Sequence, residues 1–453
     1  MQPLPKEFEE QMKRLLGEAG FFAYLDALNQ PYTRALRVNL LLRPDGTPPC
    51  PIEGLGAPVP WAKGAYFVEG DARPGLSPLH EGGLFYMQEP SALTAVTALD
   101  PQPGERVLDL CAAPGGKSTQ IAALMAGRGL LCCNEPIPSR AQILSRNIER
   151  MGVRNAVVLS AMPDALAPRF PAFFDRILVD APCSGEGMFR RQPEARDEWD
   201  ADAPRRCADR QMEILAQAAK MLRPGGTMVY STCTFNDTEN EGVLRRFLAL
   251  HPEFSLVPFA LPGLPEAKDG YLHLYPHEMR GEGHFVSRLK KADGADEADA
   301  PVQAAPQRKA PARAAAKGKA PAPIALPDVF SDAFAPERLY TAGDALWMLP
   351  EGISIEQLSG LRVLRTGLLL AHAEGKRSEP DHALAMALRP EEAARTASLT
   401  QTQALAYQAG ETLSLGDLPG GYTLLCCEGV SLGWGKQAGG LMKNHYPKGL
   451  RRR

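Results

Sequence analysis

The chain has 453 residues, 44% hydrophobic and 23% charged, close to the average of globular proteins, which excludes wholesale disorder. Its 50 Lys+Arg and 53 Asp+Glu give a formal net charge of −3, so any nucleic-acid surface must be a local basic patch. No run approaches the roughly 20 apolar residues that span a bilayer, and the N-terminus lacks the basic and apolar segments of a signal peptide. We therefore expect a cytoplasmic protein without membrane association.

The nine cysteines point to thiols and not to disulfides or zinc. Disulfides are rare in the cytoplasm, and no two cysteines have the Cys-x-x-Cys spacing of a structural zinc site. His273 and His277 are four residues apart, but Pro276 between them disfavours a helical pair of ligands. We expect no metal.

Residues 1–85 are predicted to form a small α+β module. Apolar residues recur at helical spacing over 8–28, Leu15 and Phe22 among them, which predicts a helix. The apolar run 37–42 is predicted to form a strand.

Residues 86–290 alternate predicted strands and helices. The strands are nearly continuous apolar runs, as expected when both faces of a sheet are buried: 106–110, 129–133, 156–159, 176–180 and 227–230. The helices between them are predicted at 117–125, 139–151 and 208–222. This alternation predicts a doubly wound, mostly parallel α/β sheet.

Residues 291–325 are predicted to be a flexible linker, because Ala, Pro and charged residues cannot bury enough apolar surface to fold. The segment 326–453 regains large apolar residues and is predicted to have two parts. Trp434, His445 and Tyr446 are interleaved there with basic residues, as in single-stranded nucleic-acid surfaces where charges meet phosphates and rings stack on bases. The alternative is a soluble tail with a packed Trp. The basic residues follow the last acid of the chain and are Lys436, Lys443, Lys448, Arg451, Arg452 and Arg453.

A small-residue loop follows the first predicted strand of the sheet and opens a helix. Two glycines let the backbone approach a ligand, and the helix N-terminus offers free amides. Glu135 lies 19 residues after Gly116, at the end of the next strand, where an acid can accept hydrogen bonds from ribose hydroxyls. This pattern predicts a nucleoside cofactor; the alternative is an ordinary tight turn. The loop residues are Cys111, Ala112, Ala113, Pro114, Gly115, Gly116 and Lys117.

Two further motifs follow predicted strands. Asp180-Ala181-Pro182-Cys183-Ser184-Gly185-Glu186-Gly187 follows one, and Ser231-Thr232-Cys233-Thr234-Phe235 follows another. Because ligands bind at the carboxyl ends of parallel strands, both motifs should face the same crevice as the loop. The alternative for each cysteine is a small buried hydrophobe.

The segments 111–117, 180–187 and 231–234 resemble the signature motifs of the Nol/Nop/Sun family of RNA cytosine-C5 methyltransferases. The similarity runs over 35–290, and the C-terminal segments around 432–436 and 443–451 resemble the F-type bacterial ribosomal branch. The resemblance implies a Rossmann-like methyltransferase sheet, an N-terminal module that positions RNA, and a C-terminal RNA-binding region that ends in a PUA-like domain. It implies 16S ribosomal RNA or the small ribosomal subunit as partner.

The family also implies the roles of individual residues. S-adenosylmethionine would be bound by the loop Cys111, Ala112, Ala113, Pro114, Gly115, Gly116 and Lys117, by Glu135, and at its border by Asp180. The Cys233 thiolate would add to C6 of cytosine, and Cys183 would act in the release step. Asp180 would hydrogen-bond the cytosine edge around N3, and Lys117 is a cation that could lower the pKa of Cys233.

The chain departs from the family pattern at 159–164. An acid usually follows the third strand near the adenine, but Asp164 comes a few residues late, so we expect backbone and apolar contacts there. His277, Glu278 and His284 match family positions and are assigned structural roles.

Three other functions remain possible at this stage. One is a tRNA-directed methyltransferase. Another is a DNA methyltransferase, which is disfavoured because its nucleophile is the Pro-Cys cysteine and it lacks the Thr-Cys motif. The third is a non-catalytic RNA-binding assembly factor, against which the intact Cys183 and Cys233 argue. We expect a monomer, because no interface motif is visible.

Overall fold

The computed structural model describes residues 4–294, 324, 328–329, 336–374 and 377–452. The predicted linker over 291–325 therefore lies outside the described residues except for 291–294 and 324, and Arg453 lies outside them too. Within the described part of the chain, no helix combines the length and apolar character that a bilayer span requires.

The N-terminal module is a helix followed by a four-stranded antiparallel sheet. Its elements are α1 (Lys6–Leu28), β1 (Arg34–Val38), β2 (Leu55–Pro58), β3 (Ala65–Val68), α2 (Pro78–Glu81) and β4 (Phe85–Gln88). The strand order is β2-β3-β1-β4. The predicted strand over 37–42 is wrong in its bounds, because a turn at Asn39 ends β1. There the Asn39 side chain accepts a hydrogen bond from the Leu41 amide, and the Arg43 amide bonds back to the Asn39 carbonyl.

The predicted N-terminal helix is confirmed, but its apolar pattern contains a break. Gly17 has a left-handed φ of 69°, which kinks α1 and shifts the phase of the second half. In the second half Phe22 is therefore exposed, whereas Phe21 and Tyr24 are buried; Leu15, before the break, is exposed as well. A single 3.6-residue period therefore does not describe the whole segment.

The central sheet is built by strand–helix alternation, as predicted. Its elements are α3 (Thr94–Leu99), β5 (Arg106–Asp109), α4 (Gly116–Leu124), β6 (Leu130–Asn134), α5 (Pro138–Arg150), β7 (Ala156–Leu159), α6 (Pro163–Leu166), β8 (Phe174–Asp180), α7 (Glu194–Glu198), α8 (Ala203–Met221), β9 (Leu222–Thr232), α9 (Glu241–Leu250), β10 (Phe254–Leu256), β11 (Tyr271–Leu274) and β12 (His284–Lys291). Strands β9-β8-β5-β6-β7 run parallel in that order, and β12 pairs antiparallel with β9. The Rossmann-like fold is confirmed.

Successive strand residues fill two apolar layers, one on each face of the sheet. On one face Val107, Cys133 and Leu178 pack with residues of α3, α4 and α5. On the other, Leu108 and Cys132 pack with residues of α6, α8 and α9. Because both faces are covered, only the strand ends remain open for polar chemistry.

The C-terminal region adds two small four-stranded sheets. Its elements are β13 (Leu339–Ala342), β14 (Ala345–Met348), α10 (Ile355–Leu358), β15 (Val363–Thr366), β16 (Leu368–Glu374), β17 (Arg377–Pro380), α11 (His382–Ala387), β18 (Thr396–Ser398), α12 (Gln401–Ala409), β19 (Gly421–Cys427), β20 (Val430–Ala438) and β21 (Leu441–Asn444). One sheet has the order β13-β14-β16-β17 and the other β18-β19-β20-β21. Strand β15 joins neither; it pairs antiparallel with β7 and extends the central sheet.

The prediction that Trp434 and Tyr446 stack on nucleic-acid bases is wrong. Trp434 is 2% exposed and Tyr446 3% exposed. Both rings are used in apolar packing, and the Trp434 indole Nε1 donates a hydrogen bond to the Asp381 carbonyl at 2.8 Å. Trp434 and Tyr446 are therefore core residues of this region. Lys443 and Lys448 remain exposed and available to phosphates.

Candidate active site

The sheet order brings the three predicted motifs to one edge. Strands β9, β8 and β5 are direct neighbours, and Asp180 at the end of β8 pairs with Ser231 near the end of β9. Asp109 ends β5 beside Leu178 of β8. Because all three strands are parallel, the segments that follow them leave the sheet at the same end, and the predicted convergence is confirmed.

Lys117 and Asp180 form an ion pair at the centre of this edge. The Lys117 Nζ lies 2.8 Å from Asp180 Oδ2, and the Ser231 hydroxyl donates to Asp180 Oδ1 at 2.8 Å. Burial opposes the charge of Asp180, but Lys117 and His284 outweigh it and hold the pKa of Asp180 well below its ordinary value. Burial likewise opposes the charge of Lys117, but Asp180 raises the pKa of Lys117. Both groups are therefore ionised at neutral pH.

The two motif cysteines are in contact. Cys183 Sγ lies 3.3 Å from Cys233 Sγ, a thiol hydrogen-bond distance, and both thiols are free. The hydrogen bond with Cys233, together with burial, raises the pKa of Cys183 well above its ordinary value. Cys183 is therefore protonated, and its thiol can donate to the Cys233 sulfur. Cys111 is a separate, partly buried thiol whose pKa burial also raises.

Two buried glutamates, which the sequence analysis did not assign, fix the cysteine loops. Glu186 accepts hydrogen bonds from the amides of Phe235 and Asn236, at 2.8 and 3.1 Å, and from the side chains of Asn236 and Gln11, at 3.0 and 2.9 Å. The first three donors tie the segment after Cys233 to the 186–188 turn.

Glu239 holds the loop of the other cysteine. It accepts hydrogen bonds from the amide and hydroxyl of Ser184, from Asn236 Nδ2 at 2.8 Å and from Gln211 Nε2 at 2.8 Å. Ser184 follows Cys183 directly, so Glu239 positions that thiol through the backbone. Burial raises the pKa of Glu239 although these donors oppose it. Neither glutamate lies at a spacing that would reveal this role from the sequence.

The predicted cofactor loop is held by its neighbours in a shape that leaves its helix end open. Gly115 caps α4 with a left-handed φ of 113°. The Ala112 amide bonds to the Asn134 carbonyl at 2.8 Å, and Asn147 Nδ2 donates to the Pro114 carbonyl at 2.9 Å. These contacts hold the loop without using the first-turn amides of α4. Those amides have no intrahelical partners, as at any helix start. A Cβ on Gly116 would lie 3.2 Å from a Tyr86 ring carbon.

The acids around the loop fit a cofactor with donor groups. Glu135 is 3% exposed; its Oε1 accepts from the Ile137 amide, while Oε2 lies 3.5 Å from Arg140. Asp109 accepts from the Ser118 hydroxyl at 2.6 Å, but its Oδ1 has no hydrogen-bond partner among the described residues. Burial raises the pKa of Asp109 to about 7. A hydroxyl or ammonium group bound here would satisfy an otherwise orphaned oxygen.

A buried cation from the N-terminal module supports this loop. Arg37 of β1 is 1% exposed, and its guanidinium donates to the Thr119 hydroxyl at 2.8 Å and to the Gly116 carbonyl at 3.3 Å. The N-terminal module therefore contacts the first turn of α4 directly. The strand predicted over 37–42 placed Arg37 in the module but gave no sign of this contact.

In the described segment that follows β7, no acidic side chain makes a contact that directs it toward the cofactor loop 111–117. Asp164 is exposed in the first turn of α6. The Ser160 amide instead donates to the Arg362 carbonyl at 2.9 Å, just before β15. The C-terminal region thus covers this edge of the sheet, and adenine binding without an acid stays a prediction.

His284, to which the sequence analysis assigned a structural role, lies beside the catalytic candidates. It opens β12, is 3% exposed, and its Nε2 lies 3.5 Å from Asp180 Oδ1. No local sequence signal could have found this neighbour, because it depends on β12 returning antiparallel next to β9. In the described residues, no three His, Cys, Asp or Glu side chains cluster so as to hold a metal ion.

Four family models match consecutive segments of the chain. They are the N-terminal domain of 16S rRNA methyltransferase RsmF over 4–90, 16S rRNA methyltransferase RsmB/F over 96–290, the RsmF rRNA methyltransferase first C-terminal domain over 327–388, and the methyltransferase RsmF PUA domain over 394–452.

Similar proteins and structures agree with these matches. Ribosomal RNA small subunit methyltransferase F of Erwinia tasmaniensis is 34% identical over 98% of this chain and 96% of its own. The protein of the same name from Enterobacter sp. (strain 638) is 35% identical, over 98% and 95%. A methyltransferase homolog from Pyrococcus horikoshii is 30% identical with a TM-score of 0.54, over 63% and 95% of the two chains. The P. horikoshii NSun6 structure with SFG, 22% identical, shares the fold with a TM-score of 0.55 over 64% and 98%.

Proposed function

Because the chain belongs to the 16S rRNA methyltransferase RsmB/F family, we propose that it transfers a methyl group from S-adenosylmethionine to C5 of a cytosine in 16S ribosomal RNA. Family membership makes it an RNA methyltransferase. The cofactor, the base and the atom are our proposal. The observation that carries it is the contact of two thiols, Cys183 and Cys233, beside the Lys117–Asp180 ion pair.

Two thiols fit this reaction because carbon 5 of cytosine is a poor nucleophile. A thiolate that adds to C6 turns C5 into an enamine-like carbon able to attack a methyl group, which divides one difficult step into two. We assign the attack to Cys233, because the proton of the pair is held on Cys183.

The release step follows from the same contact. After Cys233 bonds to C6, its sulfur is a neutral thioether. The hydrogen bond and the negative charge that kept the proton on Cys183 then disappear, so the pKa of Cys183 falls. Cys183 can then ionise by giving its proton to solvent, and the resulting thiolate takes the proton from C5. Loss of that proton restores the aromatic ring and breaks the bond between Cys233 and C6.

Asp180 and the loop supply the remaining contacts. Since Lys117 keeps Asp180 ionised, its carboxylate can accept a hydrogen bond from the exocyclic amino group of cytosine. The target base must leave its stack to reach this edge of the sheet. Bound by residues 111–117 and Glu135, S-adenosylmethionine would supply the methyl group. The orphaned oxygen of Asp109 would meet a donor of that molecule.

The test is methyl transfer followed by product analysis. Wild-type protein, [methyl-³H]S-adenosylmethionine and either naked 16S rRNA, assembled small subunits or tRNA would be incubated, and the RNA digested to nucleosides. We expect label in 5-methylcytidine from 16S rRNA or small subunits. Label only in tRNA would support the tRNA-directed function, and no label on any RNA would support a non-catalytic assembly factor.

The cysteine roles are tested by adducts that survive denaturing electrophoresis. Cys183→Ala should accumulate an RNA–protein adduct, and the double variant with Cys233→Ala should not. Cys50→Ala, which removes a thiol of the N-terminal module, is the matched control and should behave like wild type. An adduct that instead requires Cys183 would reverse the roles.

A further inference from the structure

His284 has the placement of a residue that acts on the substrate. Its ring is 3% exposed, its Nε2 lies 3.5 Å from Asp180 Oδ1, and this nitrogen has no hydrogen-bond partner in the described part of the chain. Phe285 of β12 pairs with Thr232 of β9. His284 directly precedes Phe285 and Cys233 directly follows Thr232, so both residues lie at the same end of this strand pair. Its nearest polar partner, Asp180, offers only this long contact, and a buried ring nitrogen with so weak a partner can accommodate a ligand.

The Asp180 carboxylate cannot make both of the hydrogen bonds that the edge of cytosine offers. As a carboxylate it only accepts hydrogen bonds, and Lys117 and Ser231 already donate to its two oxygens. The edge of cytosine presents an amino group, a donor, next to N3, an acceptor. The amino group can donate to Asp180, but N3 would face a carboxylate unless a separate donor meets it.

We propose that His284 donates from Nε2–H to N3 of the target cytosine, so that Asp180 and His284 together form an acceptor–donor pair that reads the base. This inference rests on the proposed function. The carboxylate at 3.5 Å favours the tautomer that carries a proton on Nε2. The distance between His284 Nε2 and Asp180 Oδ1 exceeds that of a normal hydrogen bond, so both side chains can bond to adjacent atoms of a base edge. Uracil, with an oxygen at C4 and a proton on N3, presents the opposite pattern and is rejected.

The same contact assists the chemistry. Addition of Cys233 to C6 drives electron density onto N3 and O2, and a donor fixed at N3 stabilises that charge where it develops. The charged groups that face His284 are Asp180 of β8 and, behind it, Lys117 of α4. Glu186 and the Glu282–Arg190 pair lie on neighbouring segments but are occupied by their own partners. His284 thus supplies the hydrogen-bond donor for N3 that the Asp180 carboxylate cannot provide.

The test compares two side chains of the same length, of which only one donates. His284→Gln and His284→Met would be made in the full-length Cys183→Ala protein, and the rate of adduct formation measured on the 16S rRNA segment around the cytosine that wild type methylates. His284→Gln should stay within about threefold of the parent, whereas His284→Met should be about 10- to 100-fold slower, the range expected for one lost hydrogen bond. His251→Met, which replaces a histidine on the far end of α9, should leave the rate unchanged.

A second arm changes the base atom and not the protein. When 3-deazacytidine replaces the target cytidine, N3 becomes a C–H group and the difference between the Gln and Met variants should disappear. Equal rates for the two variants on cytidine, both fast or both slow, would overturn the proposal, as would a difference that persists on 3-deazacytidine. If the Cys183→Ala parent forms no adduct through Cys233, the proposed function fails first and independently of His284.

Discussion

Replacing Glu186 by Gln should destabilise the segment that carries Cys233 without changing the size of the side chain. Glu186 is 1% exposed, and its carboxylate accepts four hydrogen bonds. Oε2 accepts from the amides of Phe235 and Asn236, and Oε1 accepts from the side chains of Asn236 and Gln11. Every one of these partners is a donor.

The magnitude follows from counting donors. A glutamine amide has one oxygen and one NH₂ group, so in either orientation two of the four donors face another donor. With the NH₂ group in place of Oε1, Asn236 keeps its hydrogen bond to Glu239 and Gln11 alone loses its acceptor, while the new NH₂ group is itself buried without one. Each buried group left unsatisfied costs about 1–3 kcal/mol, so Glu186→Gln should lower the free energy of unfolding by at least about 1–3 kcal/mol. Gln11→Leu, the matched control, removes a single donor and should cost only about 0.5–1.5 kcal/mol.

The assay is denaturation by urea followed by circular dichroism, with the adduct rate measured in parallel. Glu186→Gln should also slow adduct formation, because the backbone on the C-terminal side of Cys233 loses its anchors. A loss below about 1 kcal/mol, or one no larger than that of Gln11→Leu, would refute the account of Glu186 as the acceptor that joins the two cysteine loops.

Three further predictions concern the ion pair and the cofactor loop. Lys117→Met should raise the pKa of Asp180, because Lys117 is the main group that lowers this pKa against the effect of burial. The acid limb of the pH–rate profile should therefore move to higher pH. An unmoved limb would contradict the ion pair. Gly116→Ala should raise the KM for S-adenosylmethionine more than it lowers kcat, whereas Gly75→Ala, whose Cβ would meet only one atom at 3.9 Å, should change neither. Asp109→Asn should remove a pH dependence of stability. Because burial raises the pKa of Asp109 to about 7, wild type should lose stability as pH rises from about 4 to 7 and the variant should not, which melting curves at these pH values will show.

Local patterns in the sequence were enough to predict the central sheet and the segments of the site. The apolar runs 106–110, 129–133 and 176–180 are nearly continuous and buried on both faces, which identified them as strands. The first and the last are followed by segments rich in small residues and Pro, which identified the loops. Convergence of the motifs then follows from parallel pairing alone. The close approach of Cys183 and Cys233 is a consequence of β8 and β9 being adjacent.

Features that depend on distant packing could not be predicted. Arg37 reaches the cofactor loop only because the N-terminal sheet docks on α4, and His284 reaches Asp180 only because β12 returns beside β9. Likewise β15 could not be recognised as an extra strand of the central sheet, since its partner β7 lies about two hundred residues earlier. Trp434 was predicted to be a surface ring because basic residues follow it in sequence, but in the sheet its side chain is buried.

In the proposed reaction Cys233 attacks cytosine and Cys183 releases it. The most direct test is mass spectrometry of the RNA–protein adduct isolated from Cys183→Ala after protease and nuclease digestion. We expect one peptide, the one that contains Cys233, carrying a nucleotide whose base is 5-methylcytosine. A nucleotide attached to any other residue of the protein, or an unmethylated base that never proceeds to product, would contradict it.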